Sequence, residues 1–357
     1  MLPARMSDAS RLEAVLDADP GARTTEARSG YPRSARALLD RLGVLYGLQG
    51  ELLAARRATE PLAAVPLETS VSLRPGGATE VRLTLGIPSR PEDPHARRAL
   101  VGVLSALGAE RVSVAVDDAL ASVAPPPERR RLQRGLALRA RRGEPVRPRP
   151  AAWVGGQTAA ERSARIDEAM LRLGLDNAAG LHRRLAALLA GNPFCSAVPY
   201  GLGFDVDPDR VLGAKTYFAC EWADIATGLL GGRLADDLGL DGVEGFELLA
   251  ASARADRQRS RWLLEVSFEL PADPARGVRA KAYLAPSNVA PTEAEGHHTV
   301  LRLAARLGLD SRPYEELVDA IRPDRLTSER PCSLMLGLSA TESGASLEVY
   351  LFEPARA

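Results

Sequence analysis

A strand–turn–strand pattern recurs five times along the chain, starting about every 65 residues, and this period constrains the fold more than any other feature. In the first copy, Leu67-Glu68-Thr69-Ser70-Val71-Ser72-Leu73 and Glu80-Val81-Arg82-Leu83-Thr84-Leu85 alternate with period two around the turn Arg74-Pro75-Gly76-Gly77. That is the pattern of a hairpin. The second, at 135–142 and 147–155, is the weakest because of its prolines. The third (197–205, 212–219) turns at Asp207-Pro208-Asp209, the fourth (262–270, 278–285) at Ala272-Asp273-Pro274, and the fifth (332–339, 345–352) at Glu342-Ser343-Gly344.

Between hairpins the apolar residues space helically, near 34–58, 95–108, 113–124, 159–173, 178–190, 222–238, 244–255, 293–307 and 314–321. Each unit therefore reads helix–strand–strand–helix. An open sheet of ten such strands would leave two long edges, and closure removes them. The expected fold is α+β: a ten-stranded antiparallel β-barrel of five αββα repeats inside an outer ring of helices. A single domain spans 34–357. Residues 1–33, rich in Ala, Arg, Asp and Gly without period, are expected to be a disordered N-terminal segment.

Composition narrows the function classes. Lys plus Arg and Asp plus Glu both number 46, so no overall field points to nucleic acid or an anionic membrane. No apolar run approaches a membrane span and no secretory signal is evident, so a cytoplasmic location is expected. Three cysteines, Cys195, Cys220 and Cys332, lack metal-ligand spacing and read as reduced core residues. The run Glu128-Arg129-Arg130-Arg131 with Arg139, Arg141 and Arg142 reads as an exposed helix and edge. His297-His298 reads as a solvated or capping pair, and no metal site is expected.

Side chains alternate across a strand. In the returning strands one face is mostly apolar (Val81, Leu83, Leu85; Ala214, Thr216, Phe218; Leu347, Val349, Leu351) and suits a helix layer. The other carries Arg82 and Thr84; Lys215 and Tyr217; Arg279, Lys281 and Tyr283; and Glu348, Tyr350 and Phe352. With helices outside, closure puts this polar face in a lumen wide enough for ligands. Cations there can bind a diphosphate through charge-assisted hydrogen bonds, and tyrosine faces can stabilise a carbocation while water is excluded.

On these residues the sequence resembles the aromatic prenyltransferases of the αββα-barrel type, closest to the bacterial relatives of dimethylallyltryptophan synthase. The resemblance runs from about Ser34 to Pro354. It rests on Glu68-Thr69-Ser70, Arg82 in Glu80-Val81-Arg82-Leu83, Lys215-Thr216-Tyr217, Tyr283-Leu284-Ala285-Pro286, and Tyr350 in Glu348-Val349-Tyr350-Leu351. It implies transfer of an allylic prenyl group from a diphosphate donor, dimethylallyl or geranyl, to an electron-rich aromatic acceptor of the indole or tryptophan type. Arg82, Lys215, Arg279 and Lys281 would bind the diphosphate. Tyr217, Tyr283, Tyr350 and Trp153 would shield the cation. Glu68 would be the catalytic carboxylate, kept ionised by the lumen cations, accepting from an indole N–H or taking the proton lost on rearomatisation. No cofactor would be required, with magnesium dispensable, and the partners would be small molecules, with a peptide-borne acceptor as an option.

Two departures leave alternatives open. The second hairpin carries Ala151 and Trp153 where the family has Lys and Tyr, and Gly213 stands where it has an Arg. Arg147, Arg149 or Arg279 would have to compensate. A phenol- or peptide-directed enzyme of the same fold, or a non-catalytic barrel that binds a hydrophobic ligand, would fit those losses.

Overall fold

The computed structural model describes residues 34–60, 65–76, 80–88, 94–125, 132–190, 197–221, 263–284, 289–321, 329–330, 332–341 and 344–352. The N-terminal segment 1–33, the helices expected near 222–238 and 244–255, Arg129–Arg131 and Cys195 lie outside the described residues. Ten strands are described: β1 (Val65–Leu73), β2 (Glu80–Pro88), β3 (Leu132–Arg141), β4 (Arg147–Trp153), β5 (Val198–Val206), β6 (Val211–Glu221), β7 (Leu263–Pro271), β8 (Arg279–Leu284), β9 (Leu334–Thr341) and β10 (Gly344–Phe352). Each pairs antiparallel with its sequence neighbours, and β1 pairs with β10, so the sheet closes into a barrel. A small additional bridge lies outside it at Thr292, where Glu293 N–H bonds Arg330 O and Cys332 N–H bonds Pro291 O.

Around the wall lie eight described helices: α1 (Ala35–Tyr46), α2 (Gln49–Thr59), α3 (Pro94–Ala106), α4 (Glu110–Val123), α5 (Ala159–Arg172), α6 (Asp176–Ala190), α7 (Glu293–Arg306) and α8 (Arg312–Ile321). From α1 to α6 each helix packs on the next, and α8 packs on α1 and β1. The sequence pattern suggests one helix over 34–58, but Gly47 breaks it. Its φ of 64° is left-handed, and its N–H caps Gly43 O, a C-terminal motif that glycine adopts without steric cost. Starts are specified locally as well: Ser34, Thr158 and Thr292 accept from the backbone N–H three residues on, as N-caps do.

The second hairpin forms despite its prolines. Pro148 and Pro150 are two apart, so both missing N–H groups fall on the same edge of β4. Pairing of β4 with β5 is confined to Ala151, Ala152 and Trp153, whereas pairing with β3 runs from Arg147 to Ala152.

The hydrophobic core is a shell between wall and helices. Leu38, Leu39 and Leu42 of α1, Leu100 and Leu104 of α3, Val116 and Leu120 of α4 and Leu185 of α6 meet wall residues such as Val71, Leu83, Leu138, Phe204, Phe218, Phe268 and Leu351. Full burial of each such leucine contributes about 2 kcal/mol. This shell explains the alternation: every second wall residue is apolar because it faces helices. The remaining residues face inward, and their apolar members form two small clusters separate from the shell.

Candidate active site in the barrel lumen

Register fixes which side chains share the lumen. Ser70 pairs with both Arg82 and Tyr350, Ser72 with Glu80 and Glu348, and Glu68 with Thr84 and Phe352. On the far side Gly203 pairs with Lys215 and Ala151, Gly201 with Tyr217 and Trp153, and Ser267 with Tyr217 and Lys281. Arg149 on β4 bonds Glu269 on β7 at 3.2 Å although β5 and β6 separate them in the wall, a contact that crosses the lumen.

Cations and tyrosines alternate along one string of contacts. Lys215 Nζ donates to Tyr283 OH at 2.9 Å, and Lys281 Nζ donates to Tyr350 OH at 3.0 Å. Arg82 Nη1 reaches Tyr350 OH at 3.3 Å. The lysines also sit over aromatic faces: Lys215 lies 5.3 Å from the Tyr217 centroid, and Lys281 lies 5.1 Å from Tyr283 and 5.3 Å from Tyr350. Such distances give cation–π attraction. Gly337 on β9 makes the Lys281 position possible, because a Cβ there would stand 2.6 Å from Lys281 Cε.

Carboxylates complete the network. Glu348 Oε2 pairs with Lys281 Nζ and with Arg82 Nη1 (3.3 Å) and accepts from Tyr350 OH. Glu269 Oε1 meets Arg149 Nη2 (3.2 Å) and Lys215 Nζ (3.7 Å). Asp205 takes two parallel bonds from Arg149, of 2.6 and 2.9 Å. Glu80 holds Arg82, Arg139 and Arg74 at 3.4, 3.1 and 3.2 Å.

Burial decides the protonation balance. It pushes the Lys215 ammonium down to about 7, with Arg149 adding to the effect and Glu269 opposing it. It pushes Lys281 down to about 8, mostly against the pull of Glu348. Burial would raise Glu348 and Glu269, but the guanidinium and ammonium groups beside each outweigh it and hold both well below the carboxylate range. Tyr350 is pushed well above the usual phenol by burial and by Glu348.

Glu68 behaves differently from the expectation that the lumen cations keep it ionised. Its Oε1 accepts from Thr84 Oγ1 at 2.7 Å. Burial raises its carboxyl above the ordinary value, outweighing Thr84, Arg82 and Lys281. A carboxylate of raised proton affinity is a stronger base once ionised.

The structure brings Arg82, Lys215, Lys281, Tyr217, Tyr283, Tyr350, Trp153 and Glu68 to the lumen side of the wall. Arg279 shares their face by register, opposite Glu269, but its side chain is exposed at the turn end of β8. Arg149 on β4 is the buried arginine beside the same Glu269. Arg139 reads in sequence as part of an exposed edge, yet it lies on β3 opposite Arg82 and pairs with Glu80. The loss at Gly213 has a steric reason, since a Cβ there would stand 2.6 Å from Leu270 O. His297, read as a solvated or capping residue, is instead buried, with its ring 5.4 Å from Tyr314. His298 is exposed and bonds Ala294 O.

Sequence alternation missed Tyr200. A register shift between Pro199 and Gly201 turns it onto the lumen face. Its ring stacks on Trp153 at 5.2 Å and lies 6.1 Å from Tyr217. Tyr283, Tyr350, Met335 and Phe352 form the second apolar cluster. Between the clusters, Ala151, Gly201 and Gly203 give the β4–β5 wall a floor almost without side chains. Tyr217 lies on that floor, 3.1 Å from where a Gly201 Cβ would be.

A closed αββα barrel with cations and tyrosines lining its lumen defines a structural class, the barrel of the aromatic prenyltransferases, and the chain has that fold. Among solved structures it is similar to AnaPT from Neosartorya fischeri, with TM-score 0.68 and 16% identity over 90% of this chain and 93% of that one. It is also similar to 5-dimethylallyl tryptophan synthase from Streptomyces coelicolor in complex with DMASPP and Trp (TM-score 0.64, 18% identity, 90% and 94% covered). A third is 6-dimethylallyltryptophan synthase from Micromonospora olivasterospora in complex with DMASPP and Trp (TM-score 0.62, 18% identity, 89% and 95% covered). No family model matches the chain, and no curated protein matches its sequence. No described helix is long and apolar enough to cross a membrane.

Proposed function

We propose that this protein is a prenyltransferase that moves an allylic prenyl group from its diphosphate to an electron-rich aromatic ring of the indole class. The observation that carries the reading is the lumen string Lys215–Tyr283 and Lys281–Tyr350–Arg82, in which every donor cation touches an aromatic residue. Solved structures of the same fold include two with DMASPP and Trp bound, which supports the donor and acceptor classes.

The chemistry follows from this arrangement. The allylic C1–O bond of the donor breaks, and its electron pair leaves on pyrophosphate. Arg82, Arg149, Lys215 and Lys281 stabilise that charge more in the transition state than in the ground state. The allylic cation meets the faces of Tyr217, Tyr283 and Tyr350, which attract it and exclude water. A ring carbon of the acceptor attacks C1, and the arenium ion loses its proton to Glu68, restoring aromaticity. With four cations to neutralise pyrophosphate, the reaction proceeds without added magnesium. Dimethylallyl diphosphate is the donor of first choice, and geranyl diphosphate would require Tyr217 to move off the Ala151–Gly201–Gly203 floor.

That floor also favours a second reading, in which the acceptor is a larger phenol or a peptide-borne ring. Incubation with each donor and a panel of tryptophan, phenols and a tryptophan-containing peptide, read by mass spectrometry, separates the two. Prenylated tryptophan supports the first reading and product from the larger acceptors alone supports the second. No product from any acceptor would sink both.

A further inference from the structure

Four of the lumen cations fall into two pairs, and one carboxylate bridges the two members of each pair, with Asp205 also holding Arg149 and Glu80 also holding Arg82. Arg82 Nη1 and Lys281 Nζ converge on Glu348 Oε2, where Tyr350 OH also donates. Arg149 Nη2 and Lys215 Nζ converge on Glu269 Oε1. Tyr283 joins the two sets, accepting from Lys215 through its hydroxyl and lying under Lys281 with its ring. Two convergent donor sets one tyrosine apart suit the two phosphoryl groups of a diphosphate, since several cationic donors on one oxygen is how phosphate oxygens are held.

We infer that Glu348 and Glu269 are resident counter-anions at the two phosphoryl positions, and that an allylic diphosphate binds by displacing them. This rests on the reading of the lumen as the donor site. Arg149 also has Asp205 and Arg82 also has Glu80, but Lys215 and Lys281 meet no other carboxylate among the described residues, and an unpaired ammonium in a desolvated lumen destabilises the fold strongly. Both carboxylates can leave in the same direction. Glu348 precedes Tyr350 on a strand that starts at its hairpin turn, and Glu269 follows Ser267 on a strand that ends at one. Each thus stands on the turn side of its inner neighbour, and rotation of its side chain carries it towards the turn end of the barrel. Donor binding is then an exchange of anions, and the same carboxylates return to help expel pyrophosphate after transfer.

Calorimetric titration with inorganic pyrophosphate tests this on the wild type and on Glu348→Gln, Glu269→Gln, Glu168→Gln and Lys215→Ala. Removing a displaced anion without removing its cations should tighten binding on the order of tenfold in Glu348→Gln and Glu269→Gln. The same two variants should melt lower than wild type alone and recover more of the loss with pyrophosphate. Glu168→Gln, which removes an equal charge from the exposed face of α5 where it pairs with Arg172, should bind like wild type. Unchanged or weaker binding in both Gln variants, with binding lost in Lys215→Ala, would overturn the exchange and leave the donor site standing. Equal tightening in Glu168→Gln would overturn it as well, by reducing the effect to general charge. If Glu348→Gln does not fold, Glu269→Gln decides alone. No binding by any of the proteins would remove the donor site, and the exchange with it.

Discussion

Lys215 of β6 and Tyr283 of β8 meet across β7 with the ammonium donating to the phenol at 2.9 Å, and Ser267 of β7 shares the same hydroxyl at 3.1 Å. This contact joins the Arg149 side of the lumen to the Arg82 side. It also keeps a buried lysine whose proton is easily lost, because burial brings Lys215 down to about 7.

Donor affinity should therefore depend on pH. A diphosphate favours the protonated lysine, so binding is constant below about pH 7 and weakens as pH rises through that value. Lys281, at about 8, extends the fall upward. Titration with pyrophosphate across this range, in buffers of different ionisation enthalpy, should also show proton uptake near pH 8. The stability effect has the opposite trend: a lysine depressed on folding costs stability below its unfolded value. The cost grows as pH falls towards about 7 and is constant beneath it.

Glu68→Gln should lower turnover by about two orders of magnitude while leaving pyrophosphate binding near wild type. The carboxyl bonds Thr84 and forms no ion pair with a described cation. Pre-steady-state product formation and calorimetry, run on the same preparation, separate the two effects. Full activity in Glu68→Ala would remove the proposed role.

Gly337→Ala puts a Cβ 2.6 Å from Lys281 Cε and 3.2 Å from its Nζ. The barrel should fold, because the obstacle is the end of a flexible side chain. The donor KM should rise several-fold as Lys281 is displaced from Tyr350, at a cost of about 1 kcal/mol. Steady-state kinetics with varied donor measures it.

Chelation should leave the rate unchanged. On the proposed mechanism, Arg82, Arg149, Lys215 and Lys281 would supply the charge neutralisation that a divalent ion otherwise gives. Initial rates with EDTA and with added magnesium should agree within error.

The barrel was legible because a period-two pattern repeats at near-constant spacing, and closure is the general answer to ten paired strands. Lys215, Tyr217, Lys281, Tyr283 and Tyr350 followed from alternation alone. Alternation fails where register shifts, and so it missed Tyr200, which the irregularity at Pro199 turns inward. Arg149 was one of three compensating candidates in sequence; only the pairing with Asp205 and Glu269 distinguishes it from Arg147 and Arg279, which are exposed. Glu269 carried no signal because its meaning lies in a cross-lumen contact with β4. The direction of the Glu68 shift depended on burial outweighing Coulomb attraction, a balance that no one-dimensional pattern contains.

The most direct test of the central claim is the rate of pyrophosphate release from labelled dimethylallyl diphosphate with tryptophan present, for wild type and for Lys215→Ala/Lys281→Ala. Acceptor-dependent release by the wild type, reduced at least a hundredfold in the double variant, is the expected result. Release that is absent in wild type, or equal in both proteins, would contradict the assignment of the lumen as the site of prenyl transfer.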